Sequence, residues 1–173
     1  MKNNESFITK NHQKYEDLIT RLNALNIKYQ LLNHAPAKTT QEADQYIAGL
    51  RGVRTKSMLV RDKKKHFSLI IMDDAKRLDF KHFQEVSDQK RLTLAKAPEI
   101  EQLFNLEPGI ISPFGVMYSQ EQAVDIYFDK EMLDNETRLT FHPNENTHTI
   151  FLEAQDVMKF IESYGYTYQI LKI

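Results

Sequence analysis

Lys56-Ser57-Met58-Leu59-Val60-Arg61-Asp62-Lys63-Lys64-Lys65-His66-Phe67-Ser68-Leu69-Ile70-Ile71-Met72 is the stretch that decides the fold. Residues 56–61 and 66–72 read as two strands, and the polar run Asp62 to Lys65 between them reads as the turn of a hairpin. Leu69, Ile70 and Ile71 are apolar without alternation, so the second strand is expected to be covered on both faces. A sheet buried in this way needs helices against it.

The flanking sequence supplies them. Tyr15, Leu18, Ile19, Leu22 and Leu25 recur at helical spacing, which predicts an amphipathic helix over 12–26. Tyr29 to Leu32 suggests a short strand, and Thr39 with Glu42 fits a capping box that opens a helix to about Ile47. Beyond the hairpin, Asp79 caps a helix carrying Phe80, Phe83 and Val86, and Pro98 suits the start of another. Strands are expected at Leu92–Leu94, Val124–Phe128, 137–141, 147–152 and 166–171, with a helix over Asp156–Tyr164 stopped by Gly165. No repeat or linker interrupts the chain. The reading is a single α+β domain over 11–173, a mixed and mostly antiparallel sheet flanked by helices, preceded by a flexible polar tail at 1–10.

Composition narrows the chemistry. A chain of 173 residues that is 41% hydrophobic makes one domain with a substantial core. There is no cysteine, which excludes disulfides, thiolate metal sites and thiol nucleophiles. No apolar run is long enough to span a membrane, and the segment MKNNESFITK has no apolar signal core, so a cytoplasmic protein without a membrane partner is expected. Residues 51–96 hold 13 Lys/Arg against 6 Asp/Glu, while the whole chain has a net charge of −1. One face should therefore be positive.

Three local features could carry chemistry. Lys56 enters an apolar strand just after Gly52-Val53-Arg54-Thr55, where an ammonium could meet a phosphate or carboxylate. Gly109-Ile110-Ile111-Ser112-Pro113 is a constrained turn whose N–H groups could hold an anion or a carbonyl oxygen. His142-Pro143-Asn144-Glu145-Asn146-Thr147 gathers an imidazole, two amides and a hydroxyl beside a strand start. Taken singly, each is also an ordinary surface lysine, tight loop or turn.

Taken together and in order, they resemble a known family. His34-Ala35-Pro36, Thr40 to Ala43, Thr55 to Asp62, Asp79-Phe80-Lys81, Arg91-Leu92, Pro108 to Gly115 and His142 to Thr147 are similar to the freestanding prolyl-tRNA editing proteins of the YbaK-like superfamily. That resemblance covers residues 14 to 172 and implies hydrolysis of a mischarged aminoacyl-tRNA ester. It implies that Lys56 meets the phosphate of the terminal adenosine, that the loop at Gly109 holds the ester carbonyl and that His142 lines the aminoacyl pocket. Ser57, Ile110, Ile111, Ser112, Pro113, Asn144, Asn146 and Thr147 become substrate-binding candidates. Arg51, Arg54, Arg61, Lys63, Lys64 and Lys65 become candidate tRNA contacts.

No cofactor and no metal are implied. The implied partners are aminoacylated tRNA(Pro) and prolyl-tRNA synthetase. The segment His142-Pro143-Asn144 is similar to the alanine-removing branch, with cysteine removal as the alternative. Ser57 stands where many relatives carry asparagine, which leaves open a catalytically silent tRNA-binding relative.

Overall fold

The computed structural model describes residues 2–37, 39–120 and 123–173, with side chains from residue 11 onward except at 40. The tail expected at 1–10 lies outside the residues described with side chains. The elements in chain order are α1 (Lys2–Ala24), β1 (Gln30–Asn33), α2 (Thr40–Tyr46), β2 (Val53–Arg61), β3 (Phe67–Asp73), α3 (Phe80–Val86), β4 (Thr93–Leu94) and α4 (Ala97–Phe104). Two short 3-10 helices, Pro108–Ile110 and Pro113–Tyr118, follow. Then come β5 (Val124–Asp129), α5 (Lys130–Asn135), β6 (Arg138–Phe141), β7 (His148–Glu153), α6 (Ala154–Glu162) and β8 (Gln169–Leu171).

The strands form one eight-stranded mixed sheet in the order β1-β7-β6-β2-β3-β5-β8, with β4 paired to β2 off that path. Four pairings are antiparallel, β1–β7, β6–β7, β2–β3 and β2–β4; three are parallel, β2–β6, β3–β5 and β5–β8. The hairpin forms where the sequence put it. Asp62 Oδ1 accepts from the N–H groups of Lys64 and His66 and closes the turn, and β2 runs antiparallel to β3 from Thr55↔Asp73 to Arg61↔Phe67.

The unalternating run in β3 is explained by two cores. Leu69 and Ile71 join the larger one, with Phe104, Phe114, Phe160 and the α1 residues Leu18 and Leu22. Ile70 and Met72 face the smaller one, with Phe83, Tyr127 and Ile173. Each face of the strand thus has a helical cover, and period-2 patterning has nothing to record.

Local signals hold elsewhere too. The Thr39 hydroxyl accepts from Glu42 N–H at the start of α2, and Asp79 does the same for His82 N–H at α3. Pro98 lies in the first turn of α4. Helix α5 was not anticipated. Asp129 caps it through Glu131 N–H, but six residues give too little periodicity to read.

Candidate functional site

Strand β2 is the origin of the site. One of its edges is paired to β3 from Thr55 to Arg61. Its other edge has two different partners: β6, parallel, at Val53 and Arg54, and β4, antiparallel, at Val60 and Arg61. Between them the sheet splits, and the middle of β2 faces a cleft rather than a strand. Chain ends and loops fill such a split because backbone polar groups there still need partners.

Two threonines pin the split open at its start. Thr55 Oγ1 donates to the Thr140 carbonyl, and Thr140 Oγ1 donates to the Val53 carbonyl at 2.8 Å.

A cavity of about 220 Å³ occupies this cleft. Helix α2 contributes Ala43 and Asp44, with Ile47 just past its end, and β2 contributes Arg54 to Ser57. The loop after α4 contributes Pro108, Gly109 and Ile111, β6 contributes Thr140 and Phe141, and β7 contributes Thr149. His142, the first residue past β6, completes the wall. The three features separated by 86 residues of sequence, Lys56, Gly109 and His142, therefore share one pocket.

Their chemical states differ. Lys56 is half-buried and its Nζ donates to the Lys76 carbonyl, which holds the ammonium beside the cavity instead of loose in solvent. Burial holds the His142 imidazole below the usual histidine range, with opposing pulls from the His148 backbone and the Glu145 and Asp44 side chains. It is therefore neutral near pH 7. The buried atoms Ser57 Oγ and His142 Nδ1 have no hydrogen-bond partner among the described residues. Orphaned buried polar atoms are uncommon and concentrate where a ligand completes them.

Behind the wall lies a carboxyl pair. Burial first, then the charge and hydrogen bond of Asp44 and the charge of Asp73, push the Asp74 carboxyl up to about 6. Lys56 pulls the other way.

The loop's residues divide by role. Gly109 and Ile111 line the cavity; Ile110, Ser112 and Pro113 are buried and do not. Ser112 Oγ accepts from Phe114 N–H and caps the second 3-10 helix, so it supports the loop from below. A Cβ added at Gly109 would meet no atom within 4 Å. The position that demands glycine is Gly115, where a Cβ would lie 2.7 Å from Phe104 Cγ.

The third feature divides likewise. Asn144, Asn146 and Thr147 do not line the cavity. Asn144 is fully buried in a left-handed conformation with Nδ2 3.5 Å from Met117 Sδ. The carbonyls of Asn146 and Thr147 accept from Ala37 and His34 N–H and tie the strand β1 end to this turn. Glu145, given no role in the sequence reading, is buried and bonds Thr147 and His148, and His148 stacks on Tyr15 of α1 with centroids 4.5 Å apart.

Three of the candidate tRNA cations are engaged within the protein. Arg51 makes a two-pronged contact with Glu136, each bond 2.7 Å, which holds that carboxyl down at about 2. Arg54 donates to the carbonyls of Ile47, Leu50 and Gly52 at 2.6–3.1 Å, fixing the turn that follows α2. Arg61 pairs with Glu99 at 2.7 Å. Lys63, Lys64 and Lys65 are exposed on the hairpin turn.

Sequence reading missed Asp44, Thr140 and Thr149 as wall residues. The capping box signalled α2 but not which of its faces meets the cleft. Thr149 Oγ1 lies 2.9 Å from His34 Nε2, and His34 stacks on Tyr46 of α2 at 4.8 Å, so the helix is held against the wall by its neighbours in space.

A split-sheet domain with one polar cavity, a neutral histidine, a held lysine and a loop is a site built to bind and position more than to supply a nucleophile. Residues 34–160 match the aminoacyl-tRNA editing domain, and the chain belongs to that family. It is 27% identical over 158 residues to the prolyl-tRNA editing protein ProX of Acetoanaerobium sticklandii, covering 90% of this chain and 95% of that protein. It is 24% identical to the prolyl-tRNA synthetase associated domain-containing protein 1 of Danio rerio, covering 87% and 82%. A solved candidate trans-editing enzyme for prolyl tRNA synthetase shares the fold with a TM-score of 0.69 at 16% identity, covering 92% of this chain and 97% of its own. Among the described residues, no helix is long and apolar enough to cross a membrane.

Proposed function

We propose that this protein, through a domain spanning residues 11–173, deacylates mischarged Ala-tRNA(Pro) in trans, by water attack on the aminoacyl ester. The observation that carries the proposal is the convergence of Lys56, Ser57, Gly109 and His142 on one small cavity. Membership of the editing family and similarity to ProX support the same reading.

In this mechanism the Lys56 ammonium meets the phosphate of the terminal adenosine and fixes the ribose. Backbone N–H groups of the loop at Gly109 hold the ester carbonyl and then the oxyanion formed when water adds to it. The neutral His142 imidazole orients that water and can accept its proton, helped by the ribose 2′-hydroxyl. The C–O bond to the ribose breaks, the ribose oxygen takes a proton, and the free amino acid leaves. An aminoacyl ester is activated, so positioning supplies most of the rate and no triad is required.

Alanine is favoured over cysteine by the His142-Pro143-Asn144 segment. A synthetase pocket shaped for proline discriminates against one or two missing methylenes by only about 1–3 kcal/mol, so a second and smaller sieve is needed. The partners are aminoacylated tRNA(Pro) and prolyl-tRNA synthetase, and the compartment is the cytoplasm. Purified protein incubated with Ala-tRNA(Pro) and Cys-tRNA(Pro) tests this: faster release of alanine is expected. Release of cysteine alone would reassign the substrate. Tight binding with release of neither would make the protein a silent tRNA-binding relative, the reading that Ser57 leaves open.

A further inference from the structure

The cavity wall holds one charge that the mechanism above does not use. Asp44, on α2, lines the cavity and is half-buried there. Its charge is felt at His142 on one side, and it is hydrogen-bonded to Asp74 on the other. Among the described residues no basic side chain forms an ion pair with it. Lys56, lining the same cavity, gives its ammonium to the Lys76 carbonyl, and Arg54 gives its guanidinium to Ile47, Leu50 and Gly52. A partly desolvated carboxylate is costly without a cation, so a site that keeps one calls for a cationic ligand.

The reaction proposed above supplies such a ligand. An alanyl ester carries a free α-amino group, protonated up to about pH 8 as an ordinary α-amine. The reacting end of the substrate is therefore bipolar, with a phosphate on the nucleotide side and an ammonium two bonds from the ester carbon. The cavity is bipolar too, with the Lys56 ammonium-bearing side chain and the Asp44 carboxyl both among its lining residues, together with His142 and Gly109. An anchor for the ammonium also fixes the rotation of the acyl group, which decides where the ester carbonyl points relative to Gly109.

We propose that the Asp44 carboxylate binds the α-ammonium group of the aminoacyl ester and so orients its carbonyl toward the Gly109 loop. Asp44 is then a substrate-binding residue of the editing reaction. This rests on the deacylase reading, and the test separates the two.

The probes are Ala-tRNA(Pro) and lactyl-tRNA(Pro), the same ester with a hydroxyl in place of the ammonium. Deacylation of both is measured for the intact protein and for Asp44→Asn, with thermal melting of each. Asp44→Asn is expected to lower kcat/KM for the alanyl ester at least about tenfold, the scale of a charge-assisted hydrogen bond. For the lactyl ester the change should stay within about threefold, which also shows that the variant is folded. An equal loss on both esters would assign Asp44 to the structure of the wall and overturn the inference, as would an alanyl rate that does not fall. In either case the deacylase reading survives. Failure of the unaltered protein to release alanine would overturn both.

Discussion

The two ends of the β2–β3 ribbon carry similar residues and use them in opposite ways. At the cavity end, Arg54, Thr55, Lys56 and Asp74 are all engaged: the first three donate to backbone carbonyls, and the last is bonded to Asp44. At the hairpin end, Lys63, Lys64 and Lys65 stand exposed on a turn closed by Asp62. Committed groups give geometry, which a reaction needs to a fraction of an ångström. Uncommitted charges give long-range attraction, which a polyanion needs and geometry does not improve. On the proposed function, one strand pair separates chemistry from capture.

Gly109→Ala probes the cavity end most sharply. The added methyl meets no protein atom, and replacing glycine where the backbone allows it narrows the unfolded ensemble, so the melting temperature is expected to hold or rise slightly. Deacylation is expected to fall by about 10²-fold, because the methyl enters the cavity and misaims an oxyanion donor. Unchanged activity would remove the loop from the chemistry.

Lys56→Ala is expected to lower deacylation at least about tenfold with little change in fold, the scale of one charge-assisted hydrogen bond. Its dependence on salt should flatten by no more than the share of one phosphate, since the other cations still neutralise theirs. Substituting Lys63, Lys64 and Lys65 together by alanine should do the reverse. The rate at saturating tRNA is kept, while affinity weakens and the slope of log affinity against log salt flattens by about 0.7–0.9 for each phosphate no longer neutralised. If the triple variant loses rate and not slope, the division between the two ends fails.

The smallest effect concerns stability. Asp74 is protonated in both states below about pH 4, and its folded carboxyl keeps the proton up to about 6. Stability therefore falls as pH rises between those values, and the cost is complete above about 6. Asp74→Asn removes it. The full shift would be close to 3 kcal/mol, but partial exposure screens it, so a gain of about 1 kcal/mol at pH 7.5 is expected, with none at pH 4. Melting curves at the two pH values check this, and a gain that does not depend on pH would mean that the carboxyl pair is not strained.

The hairpin, the N-caps of α2 and α3 and the doubly covered strand were legible because each depends on neighbours in sequence. Leu69 to Ile71 even announced two cores before either was seen. The candidate site was legible at Lys56, Gly109 and His142, where the family resemblance points. It was not legible at Asp44 or Thr140, whose roles depend on α2 and β6 meeting at the mouth of a split that only tertiary pairing creates. The loop was legible only in part. Its sequence drew attention to Gly109, whereas the packing that fixes the segment is Gly115 against Phe104. A glycine read from sequence does not reveal whether it faces a ligand or a phenyl ring.

The pairing of β2 with β6 spans two residue pairs, Val53↔Leu139 and Arg54↔Thr140. Those pairs join the three-strand ladder β1-β7-β6 to the five-strand ladder built on β2. In the language of amide exchange this is a seam between two ladder units, held by few backbone hydrogen bonds beside the cavity. The cavity straddles it, with Thr140, His142 and Thr149 on one unit and Lys56 and Ser57 on the other. A ligand seated there bridges both units, and its binding free energy adds to the seam and not to either ladder. Occupancy would then be written in the protection of amides at Val53 to Thr55 and Leu139 to Phe141, a record of substrate that requires no turnover to read.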